Sequence, residues 1–447
     1  ELLVRRARNY TRTQRSYEAF WMFYDLMQEN PDDAQAEFYT YASFSNALQL
    51  NKTETALKIG RDYKTKFPGG DYIIDVSIAE IALLRKAERY DEFLQRIEEF
   101  LATYYLNVAA QQLYAEWAGF LIERERYDEV IRQSEIWMNL YPNARYIDGL
   151  HYWSGMARLQ LGDYAKTITA MDVVLTRHAN GPYAEDALLR KGIALFYNQQ
   201  YAQSGTVLKK YIKQYPNGVA GDQTHYFLGE IEKASGNLNE AEHHLKKAIE
   251  LTGNQELLDS AVFSVGEIYE TKQEFDTMRA HFEDYIDEYG ERGRLTDAVF
   301  QIGRAYEYTQ QAVEMLALYR ESIMTYIGAQ GNQGVETLIE NYAEKYEANE
   351  IRLRRTVELL DKIEVDLEYR EKFVTDRGFL FEVFYKDATI DQALYNRLRN
   401  HPSFGPNLME GLEPIREITS VYRSIIRLPL PRCWLRQQVR PCQAAPE

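Results

Sequence analysis

Six segments of this chain align at a spacing of 37 residues with nothing inserted or lost between them: Tyr90 in ERYDEF, Tyr127 in ERYDEV, Tyr164 in GDYAKT, Tyr201 in QQYAQS, Leu238 in GNLNEA and Phe275 in QEFDTM. The same step lands on Thr53 and Ser16 upstream and on Ala312 downstream, which makes nine registers. A strict period of this size means that each repeat is one small unit that buries its apolar face by stacking on its neighbours. A single core is a poor alternative for 447 residues, because one core stops growing near ~250–300 residues.

Other columns hold the same register and carry different physical duties. Nine residues before the anchor stand Gly155, Gly192, Gly229, Gly266 and Gly303, with Ala7 and Ala118 at that column elsewhere. Glycine inside a helix costs roughly 1 kcal/mol against alanine, so its recurrence predicts close approach of a neighbouring helix. Fifteen residues after the anchor come Pro31, Pro68, Pro142 and Pro216, then Gly253 and Gly290, which is helix-stop chemistry. Ten and fourteen residues after it the chain is mostly aromatic, as in Tyr63 with Phe67, Phe100 with Tyr104 and Tyr285 with Tyr289, a spacing that stacks each pair on one helical face.

Between these markers the apolar periodicity gives two amphipathic helices per repeat, for example 184–197 and 202–215, joined by a polar turn at 198–200. The predicted fold is all-α: an α-solenoid of helical hairpins over residues 1–327, wound as a right-handed superhelix with a concave and a convex surface. The first repeat opens part-way through its first helix, so the chain is expected to begin inside a longer array. Residues 328–334, GAQGNQG, break the register; no strand precedes them and no Lys or Ser/Thr follows as a phosphate loop needs, so they read as a break in the stack. From 335 to 426 the pattern stays helical but non-repeating, in the segments VETLIENYAEKY, RTVELLDKIEVDLEYREKF, IDQALYNRLRN and LMEGLEPIREITSVYRSII, with HPSFGPN as a turn between the last two. Residues 427–447 form a basic, proline-rich tail expected to be disordered.

The net charge of −16 is unevenly spread: residues 1–15 carry +4 through Arg5, Arg6, Arg8, Arg12 and Arg15, residues 427–447 carry +3, and the remainder carries −23. An acidic middle argues against nucleic acid as partner, since phosphate binding draws on clustered Lys and Arg. Both cysteines, Cys433 and Cys442, lie in the tail, which leaves the array without a disulfide or a thiolate metal site. No apolar run reaches the ~18 to 20 residues that span a bilayer.

Catalytic chemistry is not legible. No G-x-S-x-G, H-E-x-x-H or C-x-x-C spacing occurs, and acidic runs such as EVDLE lack the alternation of a calcium loop. His243 and His244 point about 100° apart on a helix and read as an exposed polar pair, while His151 and His225 share one repeat column. The expectation is therefore a chain with no cofactor, no metal and no small-molecule substrate, acting by binding.

The residues resemble the tetratricopeptide repeat family. LGEIEKASGNLNEAEHHLKKAIEL at 228–251 carries that family's Leu-Gly, its GN turn, Ala241 and Ala248, and the start Ala298 to Gly303 with the YP or YG endings is similar to the subgroup of bacterial envelope proteins that includes BamD-like outer-membrane lipoproteins and YbgF-like Tol-Pal coordinators. In that family the first helix of each hairpin lines the concave groove, which implies a wall from the columns 12, 8 and 4 residues before the anchor. The implied groove residues are Tyr152, Leu189, Ile193, Tyr197, Tyr226, Phe263, Phe300, Arg304 and Tyr308. Aromatic and Arg side chains anchor protein interfaces, although the same rings also suit the space between helices. The resemblance implies a non-catalytic scaffold that holds a peptide or protein in its groove, in a bacterial cell-envelope assembly of the periplasm or outer membrane, with any membrane contact made through an anchor outside this chain or through a partner. The alternative is a substrate-recruiting or regulatory repeat region of a larger enzyme.

Overall fold

The second helix of every hairpin begins at its anchor residue: Ser16–Glu29, Thr53–Lys66, Tyr90–Thr103, Tyr127–Leu140, Tyr164–Arg177, Tyr201–Gln214, Leu238–Leu251, Phe275–Tyr289 and Ala312–Tyr326. The first helices precede them at Leu2–Arg12, Ala36–Gln49, Ile73–Lys86, Ala109–Ile122, Ile147–Gln160, Ala184–Tyr197, Gly221–Ala234, Gln255–Thr271 and Leu295–Tyr308. In chain order these are α1 to α18, odd numbers for first helices and even for second. The computed structural model describes residues 2–289, 294–326, 332–369, 372, 394 and 413–427, and among them no strand occurs.

One backbone device closes all nine hairpins. The residue two before each anchor is left-handed, with φ between 53° and 59° at Gln14, Asn51, Glu88, Glu125, Gln199, Gln273 and Gln310, and φ of 75° and 79° at Gly162 and Gly236. The next N–H then reaches back five residues, as from Arg89 to the Leu84 carbonyl at 3.0 Å and from Gln200 to Leu195 at 2.9 Å. This satisfies a carbonyl that the helix end would otherwise leave unpaired. The chain turns within three or four residues before the second helix begins.

The glycine column does what its cost required. A Cβ on Gly155 would lie 2.7 Å from Met171 Cε, and one on Gly229 would lie 2.6 Å from Leu245 Cγ; Gly192, Gly266 and Gly303 face Leu208, Phe282 and Tyr319 in the same way. Each partner stands seven residues after the anchor, on the second helix of the same hairpin. In the second repeat the two columns exchange sizes: Phe44 occupies the first-helix position and Gly60 the second, with a Cβ on Gly60 placed 3.1 Å from Phe44. Helix separation is thus set by one large and one small residue, whichever helix carries which.

The aromatic columns also meet, but tilted rather than stacked: the ring planes make 52° for Tyr63 and Phe67, 51° for Phe100 and Tyr104, and 37° for Tyr285 and Tyr289. Their further role is polar. Tyr63, Tyr211 and Tyr285 donate their hydroxyls to Glu37, Glu185 and Asp259 at the start of the first helix, at 2.6, 2.8 and 2.6 Å. The Tyr63 and Tyr285 oxygens in turn accept from the backbone N–H of Tyr72 at 3.0 Å and Arg294 at 2.7 Å, at the entry to the next hairpin.

The chain divides into two compact units, Glu1–Tyr211 and Ile212–Glu447. In the first, the apolar core is a succession of clusters, one running from Val4 to Val76 and the next from Leu57 to Ala157. In the second, a cluster from Ala241 to Ala305 is followed by one from Val299 to Ile425. This string of local cores is the architecture of an α-solenoid, in which each hairpin is buried by its neighbours.

Beyond the ninth hairpin the second unit holds a 34-residue helix, α19 (Asn332–Val365), and α20 (Glu413–Arg427). The helix α19 begins inside the glycine-rich segment and runs without interruption from the first apolar stretch into the second, ending at Val365. Gly334 allows this start, because a Cβ there would sit 2.6 Å from Thr296 Oγ1. Leu338, Tyr342, Leu353 and Leu360 of α19 and Ile415 and Tyr422 of α20 share one core with Val313, Leu316 and Tyr319. Arg320 also donates to the Ser424 carbonyl at 2.6 Å. The turn 401–407 and the tail from 428 lie outside the described residues, as does the segment 390–400 apart from Leu394.

Candidate binding surfaces

A first helix is packed on several sides, and this decides which groove residues reach solvent. In the first unit Leu189 is 0% exposed and Ile193 is buried with it. Tyr152 is buried as well: its ring stacks on Tyr183 with centroids 4.5 Å apart, and its hydroxyl donates to Asp186, which Arg190 Nε also holds at 3.0 Å. Burial, reinforced by the Asp186 charge, pushes the Tyr152 phenol far above its usual range. These three side chains expected in the groove are core residues, because the neighbouring hairpin covers the columns 12 and 8 before the anchor at this point of the array.

The column four before the anchor is different. Tyr197 is 50% exposed and its ring lies over Tyr164, the anchor of the preceding repeat, at 5.5 Å and 19°. In the second unit Tyr308 is 46% exposed and stacks on Phe275, again the preceding anchor, at 4.6 Å and 23°. The Tyr308 hydroxyl donates to Glu270 at 2.6 Å and accepts from Arg304 at 2.9 Å, while Arg304 also pairs with Glu270. Tyr226, Phe263 and Phe300 are half-buried; Phe263 packs on Phe282 at 5.1 Å with the Arg294 guanidinium 4.2 Å above its ring. Arg304 and Tyr308 therefore come together as one polar-aromatic cluster, and Tyr197 forms a second exposed aromatic site in the first unit.

His243 is exposed, whereas His244 turns toward α13 and places its Nδ1 2.9 Å from that of His225. The pair read as exposed in sequence is thus split, one ring outward and one into a contact that requires opposite tautomers. Burial lowers His225 to about 4, with the charges of His244 and His243 adding to it. Among the described residues no three His, Cys, Asp or Glu side chains gather as a metal site.

A concavity that the sequence did not reveal lies between α1 and α3. About 590 Å³ in volume, it is lined by Arg5, Arg8 and Arg12 on one side and by Phe38, Tyr41, Ser45 and Asn46 on the other. The spacing of those arginines, three and then four, puts them on one helical face. That signal was present in the sequence, where they counted only as a basic end.

The sequence model of the YfiO family, described as an outer membrane lipoprotein, matches residues 150–248. That segment holds one complete hairpin and all but three residues of the hairpin on either side, with the glycine column, the left-handed turn and the anchor in register three times. The chain has the fold of a tetratricopeptide-like α-solenoid. Solved tetratricopeptide structures align with it. MamA 41-end from Desulfovibrio magneticus RS-1 is 24% identical over 40% of this chain and 93% of that one, with a TM-score of 0.34. The C-terminal part of a TPR repeat-containing protein from Cytophaga hutchinsonii is 12% identical over 57% and 98%, with a TM-score of 0.43. A thermophilic TPR protein of Thermus thermophilus is 19% identical over 44% and 98%, with a TM-score of 0.32. A comparison with curated proteins returns no match. Among the described residues no helix is long and apolar enough to cross a membrane.

Proposed function

We propose that this α-solenoid protein is a non-catalytic scaffold of a bacterial cell-envelope assembly, holding a protein or peptide partner against the exposed edge of its first helices. The observation that carries the reading is the overlap of two features: the stretch 150–248 that matches an outer membrane lipoprotein family contains the exposed Tyr197, stacked on the half-buried Tyr164. Exposed, rigid aromatic rings supply contact area at small entropic loss and are enriched where interfaces carry their energy. The cluster of Arg304, Tyr308 and Glu270 offers the same chemistry in the second unit, with a charge added. The envelope location rests on the family likeness, and the partner is a protein because repeat hairpins of this type present side-chain surfaces rather than enclosed reaction sites.

The test is site-specific photocrosslinking in source cells, with a photoreactive residue at Tyr197 or Tyr308 and a control on the opposite helices at the exposed Lys209. Envelope proteins crosslinked from the tyrosine positions and not from Lys209 are the expected result. Crosslinks to cytoplasmic proteins alone would remove the envelope assignment, and equal yields from Lys209 would remove the binding edge.

A further inference from the structure

We infer that the outward face of α2 is a docking surface for a second copy of this chain, the two α2 helices packing antiparallel about a two-fold axis at Trp21. The surface lies on the second helix of the first hairpin and stands apart from the first-helix edge proposed above.

Two repeat columns carry the inference. The positions one and five residues after the anchor are exposed in each of the first eight hairpins. They hold residues such as Glu54, Asp91 and Asp128 in the one and Lys58, Gln95 and Arg132 in the other. Among those eight only the first hairpin puts large apolar rings there, Tyr17 at 58% and Trp21 at 43% exposure. Its own core does not need them, because the other hairpins leave the same columns to solvent. Trp21 is nevertheless held firmly: its ring meets Phe20 at 5.2 Å, Tyr24 at 5.9 Å and Tyr17 at 6.4 Å, each contact edge to face. Exposed rings fixed in this way anchor interfaces, since little side-chain entropy is lost on contact.

The ninth hairpin shows what covers these columns when they turn apolar. There they hold Val313 and Ala317; Val313 is 1% exposed, and both pack in one cluster with residues of α19 and α20. Arg320, on the next turn of α18, donates to the Ser424 carbonyl of α20 at 2.6 Å. The cover is thus a helix laid on the face. In the first hairpin Tyr17 and Trp21 have no such cover among the described residues.

The pattern of α2 decides which helix fits. Tyr17, Trp21 and Asp25 lie four apart on one ridge, with about 6 Å between successive members. Among the described residues neither the Tyr17 hydroxyl nor the Asp25 carboxylate has a hydrogen-bond or ion-pair partner. Turned end over end about Trp21, the ridge matches itself: each hydroxyl faces the carboxylate of the other copy, and the two Trp21 rings meet at the axis. Ridges of this kind pack with the helices crossed at about 50°, the commonest class of helix pair, and a self-complementary patch closes as a two-fold dimer. Glu18, beside the ridge, is already neutralised by Arg15. The contact is roughly one helix a side, below the ~1,200 Å² of standard interfaces, so the dimer is weak and dissociates on dilution.

The experiment is sedimentation equilibrium of the full chain from ~1 to ~100 µM, under reducing conditions that keep Cys433 and Cys442 from forming disulfides. The variants are Trp21→Lys, Tyr17→Glu, and Tyr17→Glu combined with Asp25→Arg. Thr169→Lys, in the column of Trp21 but in the fifth hairpin, is the control, and circular dichroism confirms that each is folded. Parent and control should dimerise alike. Trp21→Lys and Tyr17→Glu should each weaken dimerisation at least tenfold, the second by setting a carboxylate against Asp25 of the other copy. The double variant should return close to the parent affinity, because its new charges attract across the axis. Within one chain those two positions are eight residues apart, about 12 Å along the helix, and cannot pair.

A parent that stays monomeric up to ~100 µM would overturn the inference and leave the face to another protein. A dimer indifferent to Trp21→Lys, or weakened equally by Thr169→Lys, would overturn it by moving the contact elsewhere. A loss with Tyr17→Glu that Asp25→Arg does not repair would overturn the antiparallel pairing. None of these outcomes bears on crosslinks from Tyr197 or Tyr308.

Discussion

Replacing Gly229 by alanine should destabilise the seventh hairpin in the parent protein and stabilise it once Leu245 has been truncated. The new Cβ would lie 2.6 Å from Leu245 Cγ, 2.9 Å from Cδ2 and 3.2 Å from the Ala241 carbonyl oxygen. The first of these is a branch carbon near the backbone and the last is helix backbone, so neither moves without shifting α14. Overpacking of this kind costs about 1–3 kcal/mol, and the better helix propensity of alanine returns about 1 kcal/mol. The net loss is therefore about 1 kcal/mol.

In a Leu245→Ala background the obstructing atoms are gone, a cavity is present that itself costs about 2–5 kcal/mol, and the propensity gain of about 1 kcal/mol should appear with its sign intact. The coupling between the two sites is then about 2 kcal/mol. Gly155→Ala is the internal comparison: its nearest obstacle, Met171 Cε at 2.7 Å, is the tip of a flexible side chain, and with Ala170 Cβ at 3.1 Å as the next contact the substitution should cost less than Gly229→Ala. Urea unfolding gives the global change, and hydrogen exchange of α13 and α14 amides gives the local one, which matters because a repeat array need not unfold in two states. A Gly229→Ala effect of the same sign and size in both backgrounds would refute the idea that the glycine column exists to admit the facing side chain.

Two other outcomes follow from the same structure. Gln199→Gly and Glu125→Gly, at positions with φ of 59° and 58°, should each raise stability by about 0.5–1 kcal/mol, since left-handed geometry is costly for a side chain; Asn51→Gly should gain less, because asparagine tolerates that region, and thermal midpoints of the single variants check the order. The His225–His244 contact should make stability fall in acid: the folded pKa of His225, about 4, lies below the unfolded value of 6.5, so the contribution is intact above pH 6.5 and is lost as the pH falls toward 4. The ceiling is about 3 kcal/mol, reduced to about 1–2 kcal/mol by partial exposure to water, and the difference between parent and His225→Gln urea midpoints at pH 7.5 and 4.5 measures it.

The fold was legible because its determinants are local and repeat. The 37-residue register predicted a hairpin at each anchor, and the glycine column predicted a close approach; that every second helix begins on the anchor itself is a finding of the structure. The exchange of Phe44 and Gly60 escaped notice because it conserves the sum of two positions 16 residues apart, and a column read alone shows only a missing glycine. The left-handed column escaped as well, since seven of its nine members are Gln, Glu or Asn; the turn is imposed by the hairpin and does not advertise itself as glycine. The continuous α19 was read as two pieces because EANEIRLR at 347–354 is polar, and only its packing against α18 and α20 decides that the helix runs through it.

The candidate sites show which columns were free to carry function. Positions nine before and seven after the anchor must fill one gap between helices, and they vary only in how the volume is shared. Positions eight and four before the anchor have no such duty at every repeat, and their chemistry differs from hairpin to hairpin: Arg8 and Arg12 in the first, Tyr197 in the sixth, Arg304 and Tyr308 in the ninth. Ile193 sits at the same column as Arg8 and Arg304 and is buried, so a column alone does not make a surface; coverage by the neighbouring hairpin does. A binding site in such an array is therefore found by asking where a constrained period permits an expensive residue that packing does not need.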